Sequence, residues 1–283
     1  MFRSDGRRLP NRLEKILLKA ADSLRRLLLL RVRLDDKGYR SIYLCESKYD
    51  AQRPMSLWIK EAGTMRWIDG EVRAGDIFMD IGANIGIYTL AAAHRVGKTG
   101  RVYAFEPHKM NGVSLLRNLA ASGLADRVDF FACALSDASH VLPFNYASLA
   151  SASSGSQLGH TRVAGASRDF RPVAREMLAA VTVDDLLGAG AIKPPNLVKI
   201  DVDGNEIKIL RGMKRLLTGK DRPRALQVEL NVGEQEEIAS FLADCGYALA
   251  ERHHTRPGEK QIKRGMPLEQ VAHNAIFRPR PAA

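Results

Sequence analysis

The chain has 283 residues, enough for a sizeable core and one large α/β domain with an extension. Cys45, Cys133 and Cys245 are odd in number, far apart and without a CxxC pair, which argues against a disulfide framework or a zinc site and fits a reducing, cytoplasmic setting. Of the formal net charge of +11, residues 1–40 supply +7 (twelve Lys/Arg against five Asp/Glu), and the apolar run LLLL at 27–30 is too short to span a membrane.

The first element in chain order is a helix. Leu13, Ile16, Leu17, Ala20, Leu24, Leu27 and Leu28 recur at helical spacing, while Arg12, Lys15, Lys19 and Arg26 fall on the opposite face. Such a basic amphipathic helix either docks on the main domain or a second subunit, or meets an anionic surface through residues 10–34, at the inner face of a membrane or on a polyanionic acceptor. Residues 1–72 are expected to form this extension, poorly patterned beyond the helix. From residue 73 to 283 short apolar runs alternate with helical patterns, the signature of a parallel sheet. The runs predict strands at 77–81, 101–105, 128–132, 197–200, 225–230, 247–251 and 275–278, with helices near 85–96, 108–122, 205–218 and 234–244. The stretch HVLPFNYA at 140–147 adds a hairpin or a short edge strand. A Ser/Ala/Gly-rich segment follows within 148–175 and lacks apolar periodicity, so a mobile loop, disordered or a lid, is expected there. The last two strands suit a terminal antiparallel hairpin. The fold class is therefore α/β: a doubly wound, mostly parallel sheet of seven strands with a C-terminal antiparallel hairpin and an N-terminal helical extension.

The first strand-to-helix turn reads Asp80-Ile-Gly82-Ala-Asn84-Ile-Gly86. In a doubly wound sheet this turn lies at the edge where ligands bind, and glycines there let backbone amides approach a carboxylate or phosphate. The G-x-G-x-x-G pattern of a dinucleotide site is not met, because only two glycines are present and an acidic residue precedes the first. Glu106 ends the next strand, where a carboxylate can accept hydrogen bonds from both ribose hydroxyls. With Asp80 to face an ammonium group and turn amides to take a carboxylate, the combination describes S-adenosylmethionine.

The segments DIGANIGIYTLAAA, GRVYAFEP, NLAASGL, ALSD, VTVDDLL, VKIDVDGNEIKILRGM and LQVELN occur in that order. The chain resembles the FkbM-type S-adenosylmethionine-dependent methyltransferases over roughly residues 73–278. The resemblance implies a class I methyltransferase sheet and transfer of a methyl group to a hydroxyl oxygen of a natural product or saccharide. It also implies that Asp80, Gly82, Ala83, Asn84 and Gly86 form the cofactor loop, that Glu106 with Pro107 meets the ribose, and that Asp137 of ALSD or a neighbouring backbone group holds the exocyclic adenine amine. Where the family has D-V-E-G-x-E, this chain has DVDGNE, one methylene shorter at Asp203.

Asp201 closes an apolar strand at the edge where the transferred methyl would lie, and Glu206 falls in the first turn of the next helix, where a carboxylate complements the helix dipole. A base that takes the proton of an alcohol assists its attack. Asp201 is the first candidate, and Glu229 in LQVELN can converge on the same site. Two carboxylates could instead hold Mg²⁺, although no spacing demands it. Two other readings compete with an enzyme acting on a small-molecule or glycan acceptor. The basic charge admits a nucleic-acid methyltransferase, which few aromatics and no RNA-binding appendage disfavour. An inactive cofactor-binding scaffold is the other, and intact Asp80, Glu106 and Asp201 argue against decay.

Overall fold

The computed structural model describes residues 29–281 except 37, 61 and 165–167, together with residues 13, 16, 17, 19–21, 23 and 24, all eight helical. Between this N-terminal helix and the main sheet, the segment read as poorly patterned is well formed. Strands β1 (Leu30–Asp36) and β2 (Tyr39–Cys45) make an antiparallel hairpin, followed by α1 (Lys48–Met55), α2 (Leu57–Lys60) and α3 (Ala62–Glu71). Tyr39, Tyr43 and Cys45 point from β2 into the core beside Met65, Trp67 and Ile68 of α3, so this part of the extension completes one face of the main domain.

The main sheet contains β3 (Ile77–Ile81), β4 (Arg101–Phe105), β5 (Val128–Phe131), β10 (Leu197–Ile200), β11 (Ala225–Leu230), β12 (Tyr247–His254) and β13 (His273–Pro279). Their order is β12-β13-β11-β10-β3-β4-β5. The five strands from β5 to β11 run parallel and β13 pairs antiparallel with both β11 and β12, which gives the terminal hairpin foreseen from the pattern. Side-chain alternation sorts the central residues onto two faces. Phe78 joins Leu90 of α4 (Ile87–Val96) and Leu115 of α5 (Lys109–Ser122), whereas Met79 and Ile81 join Ile209 of α7 (Glu206–Arg211), Leu217 of α8 (Lys214–Thr218) and Ile238 of α9 (Gln235–Asp244). The single helix read at 205–218 is thus two, parted at residues 212–213, and a Cβ on Gly212 would stand 1.9 Å from the Ser136 carbonyl oxygen.

A second sheet was only partly foreseen. Strands β6 (Ala134–Leu135), β9 (Ala174–Val181), β7 (His140–Tyr146) and β8 (Gln157–Leu158) lie in that order, and α6 (Val183–Gly188) leads on from β9 toward β10. The segment expected to be a mobile loop at 148–175 therefore carries β8 and the first residues of β9. A last helix, α10 (Arg256–Lys263), separates β12 from β13.

Candidate active site

The glycine turn joins β3 to α4, and its conformation is set by neighbours on both sides. The amides of Gly82 and Ala83 both donate to the Phe105 carbonyl, tying the turn to the end of β4. Gly82 has φ +78°, and a Cβ would lie 1.9 Å from the Asp201 carbonyl oxygen. Gly86 has φ +89°, and its Cβ would meet Leu90 and Leu115 at 2.8 and 3.1 Å. Both glycines are thus demanded by close approach of this chain's own atoms: Gly82 by the loop after β10, Gly86 by the packing of α4 against α5.

Glu106, directly after β4, is buried and lines a cavity at the C-terminal edge of the parallel strands. One carboxylate oxygen accepts from the Asn84 amide at 2.7 Å, the other from the His108 amide at 2.8 Å. Burial pushes its carboxyl up to about 7, against the opposing effect of those two amides. Each oxygen keeps a further lone pair, so the carboxylate can still accept from a vicinal diol.

Across the cavity stand Asp201 and Glu229, from the ends of β10 and β11. The Glu229 carboxyl is raised well above the usual range, first by the negative charge of Asp201 and then by burial. Asn231 donates to it at 3.3 Å. Asp203 follows with φ +62°, and burial and Asp201 raise its carboxyl as well. Glu206 accepts from the amides of Val202 at 3.0 Å and Gly204 at 2.9 Å, and burial brings its carboxyl to about 7. It holds the turn that presents Asp201.

The serine-rich segment lies across the same opening. The Ser153 carbonyl accepts from the side chains of Asn84 at 2.8 Å and Asn111 at 3.0 Å, and Arg53 of α1 donates to the Ala152 carbonyl at 2.9 Å. His108, buried at the start of α5, bonds through Nε2 to Ser148 and Ser153. At the far side the Gly155 amide donates to the Asp203 carboxylate at 2.9 Å, and Gln157 donates to the Asp203 carbonyl at 2.8 Å. Among the described residues, the non-glycine positions with positive φ are Asn84 and Asp203, on the two walls that this segment joins, and Ala152 within the segment.

The structure brings Gly82, Ala83, Asn84, Glu106, Pro107, Asp201 and Glu229 to one cavity and leaves three expected residues outside its lining. Asp80 is fully buried: Thr89 donates to one oxygen at 2.6 Å, and Lys199 Nζ stands 3.3 Å from the other. Its charged neighbour in this chain is a lysine, which stands between Asp80 and Asp201 within ion-pair distance of both. Gly86 faces the α4–α5 contact. Asp137 is exposed and accepts from Ser136 at 3.0 Å, because residue 136 packs on Gly212 and turns the next side chain outward; Cys133, Ala134 and Leu135 line the cavity instead. Sequence reasoning missed Lys199 and Arg53 as cavity residues, whereas His108 lies on the cavity wall beside Glu106 and Pro107. For Lys199 a signal existed: a charged residue in the otherwise apolar LVKI, two residues before Asp201 and therefore on the same face. Among the described residues no cluster of three or more His, Cys, Asp or Glu is arranged to hold a metal ion.

Residues 80–249 match the family described as Methyltransferase FkbM domain. The chain is 28% identical to the 31-O-demethyl-FK506 methyltransferase FkbM of Streptomyces tacrolimicus, over 63% of this chain and 75% of that protein. It is 25% identical to the hexuronic acid methyltransferase AglP of Haloferax volcanii, over 74% of this chain and 78% of that protein. Among solved structures, the methyltransferase FkbM from Methylobacillus flagellatus KT aligns with a TM-score of 0.51 at 17% identity, over 82% of this chain and 56% of that one, a likeness of fold. Because the family match takes in the glycine turn, Glu106 and the ends of β10 and β11 together, the chain belongs to the FkbM methyltransferase family.

Proposed function

We propose that this methyltransferase moves the methyl group of S-adenosylmethionine onto a hydroxyl oxygen of a saccharide, glycolipid or small natural product. The observation that carries the reading is one cavity divided between Glu106, fixed by two backbone amides, and the neighbouring carboxylates Asp201 and Glu229. The two family relatives named for 31-O-demethyl-FK506 and for hexuronic acid support an acceptor of this kind. Glu106 has the free acceptor capacity that a ribose diol needs, and Gly82, Ala83 and Asn84 line the cavity with it.

S-adenosylmethionine supplies an electrophilic methyl carbon on a positively charged sulfur. Asp201 takes the acceptor's hydroxyl proton as the oxygen's electron pair forms the new C–O bond and the S–C bond breaks, so the carboxylate charge and the sulfonium charge disappear together. Glu229, raised in its proton affinity by Asp201, holds a proton and donates a hydrogen bond to the acceptor. Positioning supplies much of the rate, because oxygen, carbon and sulfur must lie in line. Calorimetry with S-adenosylmethionine and with NAD tests the cofactor, and tight NAD binding overturns it. Comparison of glycans and metabolites from cells with and without the protein tests the reaction: a gain of about 14 Da, the excess of CH₃ over H, identifies the acceptor, and its absence removes the proposed transfer.

A second reading concerns residues 10–34, as a basic amphipathic surface that contacts an anionic membrane peripherally. Its support is exposure: Leu13, Ile16, Leu17 and Leu24 each present more than half of their surface to solvent. Among the described residues no helix is long and apolar enough to cross a membrane. The segment is shorter than expected, because Leu30 already pairs with Cys45 in the β1–β2 hairpin.

A further inference from the structure

Lys199 is the most buried cation of the cavity, 1% exposed at the centre of the sheet. The parallel register sets it directly opposite Asp80 on β3 and opposite Gln227 on β11. All three residues therefore lie on one face of the sheet, the face that α3 covers through the Gln227–Thr64 hydrogen bond at 3.1 Å. Asp201, two residues beyond Lys199, stands on the same side. The lysine ammonium lies 3.3 Å from an Asp80 oxygen and 3.6 Å from an Asp201 oxygen, with its charge over the Tyr88 ring at 5.2 Å.

A lysine needed only to neutralise Asp80 would not have to reach Asp201. We propose that Lys199 is a positioning residue for methyl transfer: it holds the Asp201 carboxylate ionised and turned toward the acceptor, leaving the shared proton of the Asp201–Glu229 pair on Glu229. This rests on the role given to Asp201 above. Coulomb's law decides the sharing. Two carboxylates side by side cannot both ionise without cost, so a cation against one of them directs the proton to the other. Asp80 meets Thr89 and Lys199 and lies outside the cavity lining. The other charges facing Asp201 come from Asp203 and Glu206 in the next turn, and from Arg53 and Lys60 on the cavity wall supplied by α1 and α2. The acidic pair is held by backbone amides of Gly155, Val202 and Gly204, and neither Arg53 nor Lys60 forms an ion pair within 4.0 Å of Asp201 among the described residues. Lys199 is the cation in contact.

The test uses the full chain labelled with ¹³C at aspartate side-chain carboxyls, with the Asp201 signal identified by its loss in Asp201→Asn, and needs no acceptor. In Lys199→Met the Asp201 signal is expected to change at a pH higher by roughly one to three pH units than in the parent. Asp80→Asn alone, which removes a neighbouring negative charge, should leave it in place or move it down. Because Lys199→Met strands the buried Asp80 charge and can prevent folding, Lys199→Met combined with Asp80→Asn keeps the row neutral and is expected to titrate higher than Asp80→Asn alone. An Asp201 signal that stays in place in either folded lysine variant, each compared with the chain that carries the same residue 80, overturns the proposal and reduces Lys199 to the structural partner of Asp80. That outcome leaves the proposed reaction standing, whereas failure to bind S-adenosylmethionine would sink the reaction and leave this titration unaffected.

Discussion

Glu106 and Glu229 occupy opposite parts of one cavity, three strand spacings or about 14 Å apart across β4, β3, β10 and β11. Both bind a proton more tightly than a carboxyl in water, for different reasons. Burial raises Glu106 while two amides favour its charge, so it stops near neutrality. For Glu229 the largest cause is a second negative charge, Asp201. A carboxylate held by amides is a fixed acceptor, suited to a ligand's hydroxyls. A carboxyl raised by a like charge is half of a proton-sharing pair, suited to chemistry. Under the proposed function, the cavity separates holding from reacting.

The largest expected effect lies on the reacting side. Asp201→Asn nearly preserves volume and keeps a hydrogen-bonding carbonyl but removes charge and basicity, so single-turnover methyl transfer to the acceptor should fall by roughly 10²–10⁴. Affinity for S-adenosylmethionine, measured by calorimetry, should change far less. Near-normal turnover would erase the division and turn attention to Glu229 or to His108.

Between the two sides stands Gly82, where the holding turn touches the reacting loop. Gly82→Ala must find room for a Cβ 1.9 Å from the Asp201 carbonyl and must also adopt φ +78°. Strain of this kind costs roughly 2–5 kcal/mol, so chemical denaturation should show a marked loss of stability. Any variant that still folds must push the Asp201 backbone away and lose turnover. An alanine chain as stable as the parent would show that the two sides are not in contact.

On the holding side, Glu106→Ala should weaken S-adenosylmethionine binding by roughly ten- to a hundred-fold, the loss of a charge-assisted hydrogen bond. The pH dependence sharpens this. A carboxyl near 7 is ionised above that pH, so affinity should rise as pH increases from 6 to 8 in the parent and stay flat in Glu106→Gln. Stability of the unliganded chain runs the other way. Glu106 and Glu206 bind protons more tightly when folded than at the ordinary 4.5, so their contribution is complete below 4.5 and is lost as pH rises through about 7. Thermal unfolding across that window checks the sign.

Much of this arrangement was legible in the sequence because parallel strands buried on both faces appear as short apolar runs, and the polar residues that interrupt them report the cavity. Glu106, Asp201 and Glu229 were visible as acids at or beside the ends of such runs. Gly82 and Gly86 were visible as bare positions, but a sequence does not say which atoms press on them, and here they belong to Asp201, Leu90 and Leu115. The cross-strand pairing of Asp80 with Lys199 needs the register of two strands more than a hundred residues apart. Asp137 lies outside the lining while its neighbours Cys133, Ala134 and Leu135 belong to it, a distinction of side-chain direction that the sequence does not carry. In the N-terminal segment, Leu30, Val32 and Leu34 alternate with Arg31 and Arg33 as a strand should, but this followed a helical pattern directly and was absorbed into it. Pro54 inside α1 and the polar make-up of that helix hid the next element.

The smallest expected effect belongs to the N-terminal helix, whose described residues are absent from the cavity lining. The hairpin decides where to cut. Tyr39 and Tyr43 are buried in the core, so removal of residues beyond 29 would unpair β2 and damage the fold. A chain beginning at residue 29 keeps β1 and should bind S-adenosylmethionine within about threefold of the parent, a difference under 1 kcal/mol. If the helix meets anionic lipid, the full chain should sediment with phosphatidylserine-containing vesicles, release progressively as salt rises, and lose attachment when residues 1–28 are removed. Sedimentation indifferent to salt, or equal for both chains, would remove the membrane contact. A change in oligomeric state on truncation would instead assign the exposed leucines to a second copy of the chain.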